Sequence, residues 1–287
     1  RIGDYRPRWC RVIEREWRAD DRNFVKRARA EYAGLIKQVR NRFQLLRPVG
    51  LRRVRGQVDG DEIDLEAAIE YVVDHRAHRT PSDRIYVERQ RRERETAVCF
   101  LLDMSGSTSA RIAANKRVLD VEKEALLLMS EALEALGDAY AIYGFSSNGR
   151  TSISFYRFKD FDEPYSELIA DRIGGAKWLA NTRLGAAIRH ATRRLNEQSV
   201  ATRLLIILSD AQPTDDEYSD AHYAREDTRV ALTEARASGV FPFCIAFDLR
   251  GDTQLDEMFG RNGYTIIQDI LRLPEKMPDI YRHLTTR

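Results

Sequence analysis

Ala97-Val98-Cys99-Phe100-Leu101-Leu102-Asp103-Met104-Ser105-Gly106-Ser107 decides how the rest of this chain is read. The apolar run from Ala97 to Leu102 does not alternate with polar residues, the pattern of a strand buried on both faces. It ends on a carboxylate, and a glycine-containing turn with two hydroxyls follows. A buried strand thus delivers Asp103, Ser105 and Ser107 into one tight turn.

Working outward, strands and helices alternate from Thr96 to the end. Lys116–Leu136 is an amphipathic helix stopped by Gly137. Ala139–Phe145 and Ile153–Phe158 are strands, expected to pair as a hairpin. Glu163–Arg172 and Arg183–Leu195 are helices, and Arg203–Leu208 is a nearly all-apolar central strand. A helix over Asp220–Ser238, strands at Val240–Phe247 and Tyr264–Ile267, and a closing helix at Glu275–Leu284 complete the pattern. This alternation predicts an α/β fold with a doubly wound, mostly parallel sheet flanked by helices. Upstream, Asp21–Leu46 has apolar residues at helical spacing, with Asp20 or Asp21 as cap and Pro48 as stop. An acidic turn, Gly60-Asp61-Glu62-Ile63-Asp64, precedes a second helix through Leu65, Ile69 and Val73. Residues 1–95 are therefore read as a helical and β extension, and residues 96–287 as the main domain.

Open α/β sheets present ligand sites where loops meet at the carboxyl ends of strands. Three loops supply similar chemistry there: Asp103–Ser107, Asn181-Thr182-Arg183-Leu184-Gly185, and Ser209-Asp210-Ala211-Gln212-Pro213-Thr214-Asp215. The candidate metal set is Asp103, Ser105, Ser107, Thr182 and Asp210. All donors are oxygen, which selects a hard cation: Mg²⁺ first, with Mn²⁺ or Ca²⁺ as substitutes. Hydroxyls add no negative charge, so the cation stays electrophilic and accepts a further carboxylate from a partner. Arg183, Gln212, Thr214 and His222, on or just past these loops, are expected to face that partner.

The three loops resemble the metal-ion-dependent adhesion site of the von Willebrand factor A family. The resemblance covers Thr96 to the end. It implies Ser105, Ser107 and Thr182 as direct ligands, with Asp103 and Asp210 acting mainly through bound waters. Ile2-Gly3-Asp4-Tyr5-Arg6-Pro7 with Trp9-Cys10, the acidic turn, the Arg89–Arg94 charged run, the third loop and Asp220-Ala221-His222-Tyr223-Ala224 extend it to the NorD/CbbO family over nearly the whole chain. That family's proteins are longer, so this chain is expected to be their C-terminal portion. The resemblance implies an adaptor for a MoxR-type AAA+ ATPase hexamer. Its target is either rubisco, the favoured branch, or nitric oxide reductase. No Gly-x-x-x-x-Gly-Lys-Ser/Thr loop is present, so the motor is expected on another polypeptide.

Composition narrows the classes. The chain has 287 residues, with 47 basic and 45 acidic residues leaving a net charge of +2, no general argument for nucleic-acid binding. Its early arginines alternate with acidic residues and lack interleaved aromatics. Arg47–Arg55, or the acidic turn, is a candidate ATPase contact. Cys10, Cys99 and Cys244 have no metal-binding spacing, and with no secretory leader and no run of roughly 18 apolar residues they fit a reducing cytoplasm. Enzymatic readings fare worse. An aspartyl nucleophile at Asp103 lacks a carboxylate two residues on, where Ser105 stands. Ser105 lacks the first glycine of a nucleophile elbow. His75, His78, His190, His222 and His283 form no ligand cluster. Asp59, Asp61, Glu62 and Asp64 lack the twelve-residue calcium-loop pattern. A non-catalytic binding role is the expectation.

Overall fold

The computed structural model describes residues 9–46, 51–91, 95–113, 116–210, 212–217, 220–247, 252–267 and 269–285. The chain divides into two compact units, residues 1–46 with 95–287, and residues 47–94. The Ile2–Pro7 motif lies outside the described residues, as do Pro48 and the end of the Arg89–Arg94 run.

In the larger unit, β1 (Val12–Glu16), α1 (Arg22–Glu31) and α2 (Ala33–Gln44) come first. The predicted single helix over Asp21–Leu46 is broken at Tyr32. Asp21 caps it as expected, its carboxylate accepting the Phe24 N–H at 2.9 Å. The expected extension over residues 1–95 is not one body. β1 pairs in parallel with a strand of the main sheet, Val12 opposite Ile153. Trp17, Val25, Ala28, Tyr32, Val39 and Phe43 are buried in the main core. Burial of these large side chains holds residues 9–46 to the larger unit, a force that leaves no mark on local composition.

The smaller unit holds β2 (Leu51–Gln57), β3 (Glu62–Ile63), α3 (Leu65–Arg76) and β4 (Tyr86–Arg91). Its antiparallel sheet has the order β2-β4-β3. Asp64 caps α3 by accepting the Glu66 N–H at 3.2 Å. Leu65, Ile69 and Val73 of this predicted second helix are exposed. Two acids of the turn are paired within the unit, Glu62 with Arg53 and Arg89, and Asp64 with Arg55, which also reaches Glu66.

From Thr96 the larger unit continues with β5 (Thr96–Asp103) and a 3-10 turn at Gly106–Ser109. A short hairpin, β6 (Arg111–Ala113) and β7 (Lys116–Arg117), leads into α4 (Val118–Leu136), closed by left-handed Gly137 at φ 87°. Then follow β8 (Ala139–Ser147), β9 (Ile153–Lys159), α5 (Glu167–Gly174), α6 (Leu184–Asn196), β10 (Thr202–Ser209) and α7 (Ala221–Ala237). β11 (Val240–Ala246), α8 (Asp252–Phe259), β12 (Tyr264–Ile266) and α9 (Leu273–Thr285) close the chain. The sheet order is β1-β9-β8-β5-β10-β11-β12. β8, β5, β10, β11 and β12 are mutually parallel, and β9 runs antiparallel to β8, the predicted hairpin.

Strand alternation sorts the core into two layers. Val98, Phe100, Leu102, Leu204, Ile206 and Leu208 face a cluster that includes α4, α5 and α9 residues such as Leu126, Ile169 and Met277. Ala97, Cys99, Leu101, Leu205 and Ile207 face the other, with Ile188 of α6, Leu232 of α7 and Met258 of α8. The predicted doubly wound α/β fold is what forms. Among the described residues no helix is long and apolar enough to cross a membrane.

Candidate metal centre

β5 and β10 are parallel neighbours, with Leu102 opposite Leu208. Their carboxyl ends therefore bring Asp103 and Ser209-Asp210 side by side. Asp103, Thr182 and Ser209 are fully buried, and Ser105 and Asp210 nearly so. Ser107, on the 3-10 turn, is half-buried.

The first loop is shaped by its own carboxylate. Asp103 Oδ1 accepts the Ser105 N–H at 2.9 Å, and Oδ2 accepts the Ser209 hydroxyl at 2.6 Å. The Ser105 and Ser107 hydroxyls lie 2.9 Å apart. Thr182 Oγ1 approaches Asp103 Oδ1 to 3.5 Å, a weak contact in this geometry. On the third loop, Asp210 Oδ1 accepts the Gln212 N–H at 3.2 Å. Backbone bonds knit the loops together. Gly106 N–H donates to the Ala180 carbonyl at 2.6 Å, Leu179 N–H to Met104 at 2.7 Å, and Thr182 N–H to Thr214 at 2.7 Å. All five expected metal-site residues are thus within one loop cluster.

The residues expected to face a partner separate. Thr214 is exposed and Gln212 half-buried on the third loop, while His222 is exposed on the first turn of α7. Arg183 is a correction to that expectation. Its side chain is only 4% exposed, and Nη2 bonds Asp215 and Glu217 at 2.9 Å each. Ser147 completes the arrangement, donating to Asp215 Oδ2 at 2.7 Å and accepting the Arg183 N–H at 3.1 Å. These bonds hold Asp215 below the usual carboxylate range despite its burial. Arg183 therefore braces the second loop against the third. Sequence reasoning assigned no role to Ser147, Ser209 or Glu217, because their partners are distant along the chain. Gly185 has a steric reason: a Cβ there would run into Asp227 of α7, including its backbone oxygen at 2.9 Å.

Trp178 and Leu179 stand exposed beside the first loop, with the Arg117 guanidinium 4.4 Å from the Trp178 ring centre. They form an apolar rim that the motif reading did not single out.

The electrostatics favour a positive guest. Burial, and then the neighbouring Asp210 carboxylate, push Asp103 up to about 7, against the opposing hydrogen bonds from Ser209 and Ser105. Two close buried acids with hydroxyl neighbours fit a hard cation, which would relieve their repulsion. No group of three His, Cys, Asp or Glu side chains among the described residues is spaced to hold a metal. Any metal here must therefore rely on the Ser105, Ser107 and Thr182 hydroxyls.

A mostly parallel α/β sheet with an oxygen-rich three-loop site at its carboxyl edge defines the class of this protein. The chain belongs to the von Willebrand factor type A domain family, whose model matches residues 97–275. It is homologous to proteins named NorD. It is 38% identical to Protein NorD of Brucella suis over 284 residues, covering 99% of this chain and 44% of that protein. Against Protein NorD of Stutzerimonas stutzeri it is 37% identical over 235 residues, 82% of this chain and 38% of that one. The chain thus spans less than half the length of these relatives. Among solved structures, the PilB minor pilin of Streptococcus sanguinis, in its D319A form, superposes with a TM-score of 0.53 at 15% identity. That match covers 70% of this chain and 65% of the pilin and concerns the fold alone.

Proposed function

We propose that this chain grips an acidic side chain of a target protein through a Mg²⁺ ion held by Asp103, Ser105, Ser107, Thr182 and Asp210. The observation that carries this reading is the buried, mutually repelling pair Asp103 and Asp210 beside the paired hydroxyls of Ser105 and Ser107. Such a set leaves a bound cation short of negative charge. A carboxylate from outside completes it, and the Trp178–Leu179 rim adds apolar contact next to it.

The wider role follows the NorD resemblance. The chain acts as the target-binding part of an adaptor for a separate MoxR-type AAA+ ATPase hexamer, which supplies the ATP-driven work. Because the relatives named above carry the NorD name, activation of nitric oxide reductase takes precedence over rubisco reactivation, the reverse of the sequence-based preference. Chemistry at the site is recognition rather than turnover, in keeping with the expected cytoplasmic, non-catalytic role.

A pull-down from cell extract tests this, run with Mg²⁺ and with chelator, for the chain and its Ser107→Ala variant. Ser107 is a half-buried turn residue, so the variant is expected to fold. Retention of reductase subunits and an ATPase only with Mg²⁺, and loss of the target in Ser107→Ala, supports the reading. Rubisco in place of the reductase moves the assignment to the other branch. A Mg²⁺-dependent target without any ATPase makes the chain a free-standing binding module. Partners unchanged by both chelator and variant sink the metal bridge.

A further inference from the structure

Glu122 lies five residues into α4, on a stripe with Val118, Leu119, Ala125, Leu126 and Met129, all buried. Its side chain is fully buried, and among the described residues neither carboxylate oxygen has a hydrogen-bond partner. The charges acting on it are both negative, Asp103 first and then Asp210. Burial and these neighbours push its carboxyl well above the ordinary glutamate range. α4 packs on β5, which ends at Asp103, and on the 3-10 turn that carries Ser107, with the Val118 N–H donating to the Ala110 carbonyl at 3.0 Å.

Nearby lysines do not compensate it. Lys116 is engaged by Glu31 and Glu124. Lys123 sits 3.8 Å from Asp120 and over the Phe24 ring. A buried carboxyl with no partner is destabilising, and a leucine would fill the space at lower cost. What this interior region lacks is positive charge.

We propose that Glu122 is an outer member of the metal centre, holding the cation's hydration shell from the α4 side through an intervening water. The inference rests on the metal-site reading above. Water mediation follows because Glu122, Asp103 and Asp210 are not spaced to hold one metal together. A buried water needs two to four polar partners, and the Glu122 oxygens supply acceptors otherwise unused. The third acid tightens the cation without occupying the position a target carboxylate takes.

The test is Mn²⁺ binding, by calorimetry and by the electron paramagnetic resonance of free Mn²⁺, for the chain and its Glu122→Gln, Glu122→Asp and Ser107→Ala variants. Outer ligands of metal sites typically change affinity about 10- to 100-fold. Glu122→Gln is expected to weaken Mn²⁺ by at least about tenfold, with its stability in chelator equal to or above wild type. Glu122→Asp, which keeps the charge, recovers part of the affinity. Mn²⁺ affinity in Glu122→Gln within about twofold of wild type, well under the outer-ligand range, overturns the proposal and leaves Glu122 an interior filler. Ser107→Ala then still shows whether the primary site exists. Wild type that binds no Mn²⁺ removes the metal reading and this inference with it.

Discussion

Asp103→Asn should make the metal-free protein more stable while abolishing its response to Mg²⁺. Burial and the Asp210 carboxylate raise Asp103 from 3.8 to about 7 in the folded protein. With each tenfold change in proton affinity near 1.4 kcal/mol, ionised Asp103 costs the fold about 4 kcal/mol. A carboxyl raised on folding imposes no penalty below 3.8, where both states are protonated. The penalty grows as pH rises and is complete above about 7. Asparagine keeps the shape and removes the charge. It weakens the bonds from the Ser105 N–H and the Ser209 hydroxyl, a loss of about 1–2 kcal/mol. The net gain in chelator is about 2–3 kcal/mol above neutral pH, vanishing in acid. Added Mg²⁺ closes this gap. Wild type gains about 2.7 kcal/mol at a hundredfold excess over Kd, and the variant gains nothing. Urea unfolding across pH, in chelator and in Mg²⁺, reads all of this. A variant less stable than wild type in chelator above neutral pH, or one that keeps the full Mg²⁺ shift, would refute the reasoning.

Other perturbations probe the scaffold. Arg183→Met keeps the volume but strands the buried Asp215 carboxylate, so stability should fall by about 3–5 kcal/mol near neutral pH. Because Asp215 is held below its ordinary range, its stabilising contribution is present above 3.8 and lost as pH falls through the lower folded value. The gap between Arg183→Met and wild type in chemical denaturation should therefore narrow in strong acid, and a gap independent of pH would contradict this brace. Gly185→Ala drives a methyl group into Asp227. A loss of about 1–3 kcal/mol is expected, and an unchanged melting curve would show that α7 yields without cost.

The chain's local chemistry carried much of this protein. The unbroken run from Ala97 to Leu102 marked a central strand, because a strand covered on both faces has no solvent side to alternate with. Gly137 and Asp21 ended and began helices through backbone geometry and capping that are local by nature. The site was legible for the same reason: Asp103, Ser105 and Ser107 share one turn, and Thr182 and Asp210 each follow recognisable punctuation.

Tertiary structure decided what depends on distant partners. Residues 9–46 read like part of an arginine-rich extension, yet β1 completes the main sheet beside β9 and Trp17 and Phe43 enter its core. Arg183 reads as a surface cation until Asp215, Glu217 and Ser147 close around it. Glu122 stands in a helix rich in charge, and only its position on the apolar stripe could have flagged it. That the stripe packs beside β5, whose end carries Asp103, is set by how α4 sits on the sheet. Capping, turns and buried runs are written within a few residues, whereas burial, ion pairing and electric field sum over whatever the fold brings near.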